Sequence, residues 1–538
     1  MNTPIRVWSG RFWLPALLLS VAASVATAQD TPPPPPPPPP FPSAAPTRPY
    51  TYAPSQAYTP PTPIVASPEA LALAKNNNQF ALDLYHQFNP KPDENTFFSP
   101  YSISTALAMT MAGARNETAT QMAKTLHLAG LSSDAMAANF NALQKTLAEA
   151  QPRSGVELDV ANSLWPEQNP EHPLLPEFLN LVQSNFDSGV FPVDFKTHAD
   201  DAARQINTWV AENTKDKIKD VLHPSDLDDS TRLVLVNAIY FKAAWAFPFQ
   251  PYNNLNDEFH LADGSSKPAV LMHMTFGGGI QFAGYADFKD AAVPFQMLSL
   301  NYFGTPADNN PPPRGARRGS GTFRNPMGPD GQLFSFIVLL PRTTDGLAAL
   351  EKSLTADQLS TWLGKLDGRD RVEVFLPKFK LAERYSLIPT LDSMGVKNAF
   401  VDPIKYLNDP NRADFSGMDN ARDLYIGLVI HQTFLDVDEK GTEAAAATVI
   451  RVGAGGAARG PSPPPPPIFR ADHPFLFLIR DNTTGSILFL GQLANPEPMH
   501  EVIQTRPTFG RGRGPRGTAG NNYPPPPLPP APITTQSQ

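Results

Sequence analysis

Apolar positions follow a helical repeat in the first part of the chain and form strand-like runs in the later part. Residues 67–69 are Ser-Pro-Glu, which predicts a helix start, because serine caps the first turn and proline is tolerated at the first helical position. Apolar residues then recur at helical spacing over 71–88. Residues 233–241 are apolar except for Asn237, which predicts a strand that is covered on both faces.

The remaining elements follow the same order. Small and apolar residues at helical spacing predict further helices near 101–111, 118–126, 133–150 and 202–214. Apolar runs predict further strands at 334–341 and 372–379, and within 423–437 and 475–492. Helices that precede strands, without regular alternation of the two, indicate an α+β domain.

The segment from Asp436 to Ile450 combines an acidic strand end, a glycine and four consecutive alanines. Alanine has the highest helix propensity, but this segment lies between two strand-like runs. In a strand, alternate side chains point to opposite faces. One face would then carry only small or apolar side chains: Thr442, Ala444, Ala446, Thr448, Ile450 and Val452. The other face would carry Glu443, Ala445, Ala447, Val449, Arg451 and Gly453. It includes both charged residues of the segment, Glu443 and Arg451. We therefore expect a segment that can pack as a strand inside a sheet.

Proline makes up 62 of the 538 residues and is concentrated in short stretches outside the periodic segments. Such stretches lack the alternating apolar residues and the backbone donors that a packed core needs. We therefore expect a disordered proline-rich linker at 29–66, an inserted loop at 303–332 and a disordered tail rich in glycine, arginine and proline at 498–538. The globular domain is expected to span residues 67–497.

The N-terminus has the pattern of a secretory signal peptide at residues 1–28. Arg6 and Arg11 give it a positive start, residues 12–26 are apolar, and Ala-Thr-Ala at 26–28 suits a signal peptidase. The apolar run is short for a membrane span, although a retained anchor is the alternative. We expect an exported protein, extracellular or periplasmic, without a membrane span.

Composition excludes several classes of function. The formal net charge of −8 gives no overall field that would attract nucleic acid. The absence of cysteine excludes disulfides, thiolate metal sites and a cysteine nucleophile. The ten histidines show no His-Glu-x-x-His spacing, and no phosphate-binding loop or nucleophile elbow is present. The sequence therefore indicates neither a metal nor another cofactor.

Seven motifs in order along residues 69–497 are similar to those of the serpin family of serine protease inhibitors. They are Asn95–Ser102, Leu235–Lys242 with Trp245, Leu376–Phe379, Asp414–Met418, Gly441–Thr448, Asp472–Phe475 and Leu488–Gln492. Each motif alone is a weak signal, but seven with plausible spacing are a specific one. Together with the export signal, they make the chain resemble a bacterial-type exported serpin.

This resemblance implies the serpin fold, with three β-sheets, eight or nine helices and an exposed reactive-centre loop, here residues 441–467. In the family mechanism the protease cleaves this loop and stays attached as an acyl-enzyme, while the cut loop inserts into the central sheet as a new strand. The implied partner is a serine protease, or else a cysteine protease, held in a covalent complex by a monomeric inhibitor. The chain itself would not be an enzyme.

The resemblance also assigns roles to three groups of residues. The hinge of the loop would consist of Glu439, Gly441, Thr442, Glu443, Ala444, Ala445, Ala446, Ala447 and Thr448. The scissile bond would lie near Ala454, Gly455 and Gly456, which suits an elastase- or subtilisin-like protease, or at Arg459, which suits a trypsin-like one. The residues that lock the central sheet, without acting as a catalytic Ser/His pair, would be Ser99, Ser102, Asn237, Trp245 and His431.

A second function stays open at this point. The chain could be a non-inhibitory serpin that acts as a binding or chaperone module, tethered by its proline-rich ends. The glycine-rich centre of the loop mildly favours this alternative. The small residues of the hinge favour an inhibitor, because bulk or charge there would hinder entry into a packed sheet.

Overall fold

The structure, a computed structural model, describes residues 62–186, 188–277, 283–303, 332–368, 371–442 and 464–502. The chain divides into two units, residues 1–59 and 60–538, and every described residue lies in the second. The expected signal peptide and most of the linker and tail lie outside the described residues. Within the described ranges, no helix is both long enough and apolar enough to cross a membrane.

The described residues contain ten α-helices: α1 (Pro68–Phe88), α2 (Pro100–Ala112), α3 (Asn116–Thr125), α4 (Ser133–Ser154), α5 (Pro176–Phe186), α6 (Phe195–Asn213), α7 (Leu347–Ser353), α8 (Ala356–Leu363), α9 (Ile388–Ser393) and α10 (Ser416–Asp419). Helix α1 begins where the sequence predicts, because the side chain of Ser67 accepts a hydrogen bond from the backbone N–H of Ala70 at 3.3 Å. This set is close to the eight or nine helices that the resemblance implies, and the two shortest, α9 and α10, have six and four residues.

The strands form three β-sheets, as expected. One sheet has the order β1 (Thr96–Phe98), β17 (Ile487–Leu493), β16 (Phe475–Asp481), β9 (Phe334–Pro341), β8 (Phe295–Tyr302), β7 (Ala283–Phe288) and β10 (Asp367–Gly368). The second has the order β15 (Ile468–Arg470), β11 (Arg371–Pro377), β6 (Ser266–Gly277) and β5 (Leu255–His260). The third, called the central sheet below, has the order β12 (Phe379–Ser386), β13 (Leu428–Val437), β14 (Gly441–Thr442), β4 (Leu233–Ala244), β2 (Glu157–Pro166) and β3 (Gly189–Val190).

Strands β4 and β13 are direct neighbours over most of their length. Residues 428–434 of β13 pair in parallel with residues 234–240 of β4. Beyond this stretch the two-residue strand β14 lies between them and is antiparallel to both. We call the directly paired stretch the seam, because it ends where the chain toward the reactive-centre loop begins.

Strand β4 is buried on both faces, as its continuous apolar run predicts. Leu235 and Ile239 belong to the main hydrophobic core, whereas Val234 and Val236 belong to a second cluster that includes Ile206 of α6. Alternate side chains of one strand therefore face two different apolar layers. This double coverage excludes water from the seam and explains why the strand shows no alternation of polar and apolar residues.

The expected inserted loop connects two neighbouring antiparallel strands, β8 and β9. Tyr302, the last residue of β8, pairs directly with Phe334, the first residue of β9. Residues 304–331 lie outside the described residues. Because the two strands are adjacent and antiparallel, the connection starts and ends at neighbouring points, and its length does not alter their register.

Candidate functional site

The hinge enters the central sheet at its first residues. Thr442 pairs with Ala243 of β4 on one side and with Val437 of β13 on the other. Its side chain is fully buried, and its hydroxyl lies 2.6 Å from the hydroxyl of Tyr302. Thr442 thus faces the interior of the molecule. The loop therefore starts inside the sheet, where β14 makes one residue pair with β13 and two with β4, next to the end of the seam.

Gly441 lies too close to β4 to carry a side chain. A Cβ atom built on it would lie 2.0 Å from the carbonyl oxygen of Ala243 and 2.7 Å from the Cα atom of Ala244. Both are backbone atoms that cannot move away without distorting the strand. Glycine at this position therefore permits the close approach that brings Thr442 into the sheet.

Trp245 fixes the turn that leads into the hinge. Its indole N–H donates to the carbonyl oxygen of Asp438 at 2.8 Å, and its backbone N–H donates to the carbonyl oxygen of Lys440 at 2.8 Å. Its ring stacks on Tyr302 with 4.8 Å between ring centroids. The tryptophan singled out in the sequence thus lies beneath the hinge and joins its backbone to the end of β4.

Glu439 is held by two donors from other elements. Lys378 Nζ lies 3.0 Å from its carboxylate, and the side-chain amide of Asn254 also donates to it. Burial alone would raise the pKa of Glu439, but the hydrogen bonds from Asn254, from its own backbone and from Lys378 outweigh burial and lower the pKa. Glu439 therefore stays ionised as a fixed point at the top of the central sheet.

A polar cluster lies under the seam and consists of five side chains: Ser99, Ser102, Asn162, Asn237 and His431. All five are buried, with at most 1 % of their surface exposed. Asn162, Asn237 and His431 occupy paired positions on the neighbouring strands β2, β4 and β13. The cluster therefore crosses the seam, and the contact between Asn237 and His431 joins its two sides.

The hydrogen bonds fix the protonation of His431. Nε2 accepts the backbone N–H of Ser99 at 3.0 Å, so the ring proton lies on Nδ1 and is donated to Oδ1 of Asn237. A second ring proton would face the N–H of Ser99. Burial lowers the pKa of His431 to about 3, so the ring is neutral near pH 7.

The Ser/His grouping is structural. The hydroxyl of Ser99 donates to the carbonyl oxygen of Leu488 at 2.6 Å, and only its backbone N–H meets the His431 ring. The hydroxyl of Ser102 bonds to Asn162 at 3.0 Å. Neither hydroxyl is presented to the imidazole as a nucleophile would be.

Four residues of this site could not be predicted from the sequence. Asn162, Tyr302 and Asn254 reach the hinge or the seam from segments that carry no special pattern, and Lys378 reaches the hinge from one of the seven motifs. Asn237 was noticeable because it interrupts an apolar run, whereas Asn162 lies in a strand of mixed polarity. Lys378 had a signal, since it lies in the motif Leu376–Phe379, but its contact with Glu439 could not be predicted from spacing alone.

The remaining predicted site residues lie outside the described residues. They are Glu443, Ala444, Ala445, Ala446, Ala447 and Thr448 of the hinge, the candidate scissile residues Ala454, Gly455 and Gly456, and the alternative Arg459. Their roles stay predictions. Of the expected reactive-centre loop, the structure describes Gly441, Thr442 and residues 464–467.

The described geometry can be compared with known proteins. The family model for "Serpin (serine protease inhibitor)" matches residues 75–496. The chain belongs to the serpin family. This match confirms the family seen in the sequence motifs, and the three sheets with a hinge seated above a parallel seam confirm the serpin fold. The family is described by protease inhibition and not by catalysis, which agrees with the structural role of the polar cluster.

Individual serpins match over nearly their whole length. Leukocyte elastase inhibitor A of Mus musculus is 34% identical over 432 residues, covering 79% of this chain and 99% of that protein. The structure of uncleaved ovalbumin has a TM-score of 0.61 at 26% identity and covers 79% of this chain and 100% of its own. Human thyroxine-binding globulin, solved in complex with thyroxine, has a TM-score of 0.62 at 28% identity and covers 80% of this chain and 99% of its own.

The close approach at Gly441 predicts the effect of adding one methyl group. Gly441→Ala should lower the free energy of unfolding by about 1–3 kcal/mol, because the Cβ atom would displace the hinge from β4. Gly364→Ala is the matched control, since its nearest neighbours would lie at an ordinary 3.5 Å. Denaturant titration of both variants measures the difference, and equal stabilities would contradict the steric argument.

His431 predicts a pH dependence of stability. Between the ordinary pKa of 6.5 and about 3, the unfolded chain binds a proton at His431 that the folded chain does not bind. Stability should therefore fall as the pH falls through this range, by up to about 1.4 kcal/mol per pH unit from this residue. His431→Gln should flatten the slope, whereas the exposed His260→Gln should not. Denaturation midpoints at several pH values test this, and parallel slopes for wild type and His431→Gln would contradict it.

Proposed function

We propose that this serpin inhibits serine endopeptidases as a suicide substrate. The protease serine attacks the scissile carbonyl of the reactive-centre loop, the distal part of the loop leaves as an amine, and the proximal part stays esterified to the enzyme. That proximal part then inserts between β4 and β13. The observation that carries this proposal is Thr442, which is already seated between these two strands.

Two properties of the seam and one of the hinge support insertion. The two strands are parallel, and an inserted strand that continues β14 would be antiparallel to both, so one ladder of hydrogen bonds would be replaced by two. The small inward residues expected after Thr442 fit a covered sheet. The polar cluster offers a defined contact, Asn237 to His431, that separates as the strands part.

The target is proposed to be an elastase-like protease. Leukocyte elastase inhibitor A of Mus musculus, which is similar over most of the chain, is named as an inhibitor of leukocyte elastase. The expected scissile residues Ala454, Gly455 and Gly456 are small, which suits the small primary pocket of an elastase. Arg459 would instead suit a trypsin-like enzyme, and a cysteine protease is a further candidate.

Export is the finer part of the proposal. The N-terminal residues 1–28 have the pattern of a cleaved signal peptide, which would place the inhibitor outside the cell or in the periplasm. The proline-rich linker at 29–66 and the tail at 498–538 would flank a serpin domain at 67–497 in a monomeric, bacterial-type exported inhibitor. The proposal of export rests on this N-terminal pattern alone.

A non-inhibitory binding role is the second candidate. It is favoured by the similarity to thyroxine-binding globulin, whose structure was solved in complex with thyroxine. The two roles differ in the effect of loop cleavage on stability. An inhibitor should become much more resistant to heat once the cut loop has inserted, whereas a pure binding module should not.

Covalent trapping tests the proposal directly. The mature protein is incubated with an elastase, a subtilisin and a trypsin, and the products are separated in SDS. We expect an SDS-stable complex with the elastase, and cleavage within 454–456 by mass spectrometry. Cleavage at Arg459 would move the target to a trypsin-like protease. If every enzyme cuts the loop and leaves free, inhibition is wrong.

Thr442 provides a sharper test of insertion. Thr442→Arg should reduce the yield of covalent complex about tenfold or more and turn the protein into a substrate, because it places a charge at a fully buried position of the sheet. Glu443→Arg adds the same side chain one residue further on, at the position expected to face outward, and should keep most of the complex. Equal yields from the two variants would contradict insertion in this register.

A further inference from the structure

The chain returns to the hinge after the serpin domain ends. The family match ends at residue 496. Beyond it, the backbone N–H of Met499 donates to the carbonyl oxygen of Pro268 in β6 at 3.0 Å. Glu501 and Asn256 of β5 exchange two hydrogen bonds: the Glu501 N–H donates to Asn256 Oδ1 at 3.0 Å, and Asn256 Nδ2 donates to the Glu501 carbonyl at 2.8 Å. These three bonds fasten the segment to the four-stranded sheet.

This docking brings a second carboxylate to the donors that hold the hinge. Glu501 Oε2 lies 3.3 Å from Lys378 Nζ and 3.1 Å from the side-chain amide nitrogen of Asn254. The same two donors bind the carboxylate of Glu439. The side chain of Lys378 is 17% exposed and that of Glu501 is 33% exposed, so water screens these contacts only in part.

We propose that Glu501 is a positioning residue that limits how readily the hinge opens the central sheet. This role rests on the proposed function, because it concerns the loop insertion that traps the protease. The carboxylate of Glu501 contacts Lys378 and Asn254, the same two donors that hold Glu439. The C-terminal segment thereby ties the hinge to the four-stranded sheet.

The charges explain why the tie acts on the hinge. Burial acts to lower the pKa of Lys378, but Glu439 and Glu501 together outweigh burial and raise it, so the ammonium group stays charged between two carboxylates. An ammonium group bound on two sides has fewer orientations than one bound on a single side. Loss of Glu501 would leave Lys378 and Asn254 sharing the single carboxylate of Glu439, which would then be held by less constrained donors.

Lys378 also connects the two sheets through its position. It lies between the last residue of β11, in the four-stranded sheet, and the first residue of β12, in the central sheet. Its backbone N–H donates to the carbonyl oxygen of Val270 in β6 at 2.9 Å. Displacement of Glu439 would therefore disturb a residue that is hydrogen-bonded to the four-stranded sheet. The contact of Glu501 with Lys378 is a second connection between the hinge and that sheet.

Hydrogen–deuterium exchange of the intact, full-length chain tests this role without a protease. In Glu501→Ala, amide exchange across residues 437–442 should be about fivefold faster than in wild type, while exchange in β16 stays unchanged. Glu501→Gln keeps an oxygen acceptor but loses the charge and should be intermediate. Glu497→Ala removes the same charge from an exposed position of the same segment and should match wild type.

The outcomes separate this role from general stability and from the inhibitory function. Faster exchange in both the hinge and β16 would show a global loss of stability and overturn the proposal, as would a hinge in Glu501→Ala that exchanges like that of Glu497→Ala. Covalent complex formation by wild type is scored separately. If wild type traps no protease but Glu501→Ala still speeds amide exchange in the hinge and not in β16, the role of Glu501 is supported and the inhibitory function is wrong. If wild type traps elastase and hinge exchange in Glu501→Ala equals that of wild type, the inhibitory function is supported and the role of Glu501 is wrong.

Discussion

Direct pairing between β4 and β13 is the constraint on which the other features depend. Strand β4 is buried between two apolar layers, whereas β13 has one buried face and one that is partly exposed. Their ladder therefore cannot open without exposing core residues to water. The pair is nevertheless parallel, the less stable arrangement per residue. An antiparallel strand placed between them would satisfy both edges. In this structure β4 and β13 therefore pair directly with each other, although each could pair more favourably with an antiparallel strand placed between them.

The top and the middle of the seam control this pairing in different ways. At the top, Gly441 and Thr442 separate the strands by one residue pair and mark the point from which further separation would start. In the middle, the buried contact between Asn237 and His431 favours the closed state, because parting the strands would leave buried polar groups without partners. Residues 441–442 thus separate the two strands at one end of the ladder, and the contact between Asn237 and His431 holds them together in its middle.

Sequence reasoning succeeded where the constraint is local and failed where it is long-range. The double burial of β4 follows from an uninterrupted apolar run, and the inward position of Thr442 follows from strand period two. Asn237 was found because an amide in such a run needs partners. Asn162 and Tyr302 could not be found, because each becomes special only through the strand opposite it. Glu501 was assigned to a disordered tail, and only the fold shows that residues 499–501 contact β5 and β6.

Trp245 has a consequence for how this protein can be observed. It is one of six tryptophans, and its indole is buried between the ring of Tyr302 and the backbone of the hinge turn. Indole emission depends on the polarity around the ring and on nearby quenching groups. Any change in the position of the hinge relative to β4 would alter the contact with Asp438 and the surroundings of the ring. The protein thus contains an intrinsic optical reporter of the contact between the hinge and β4.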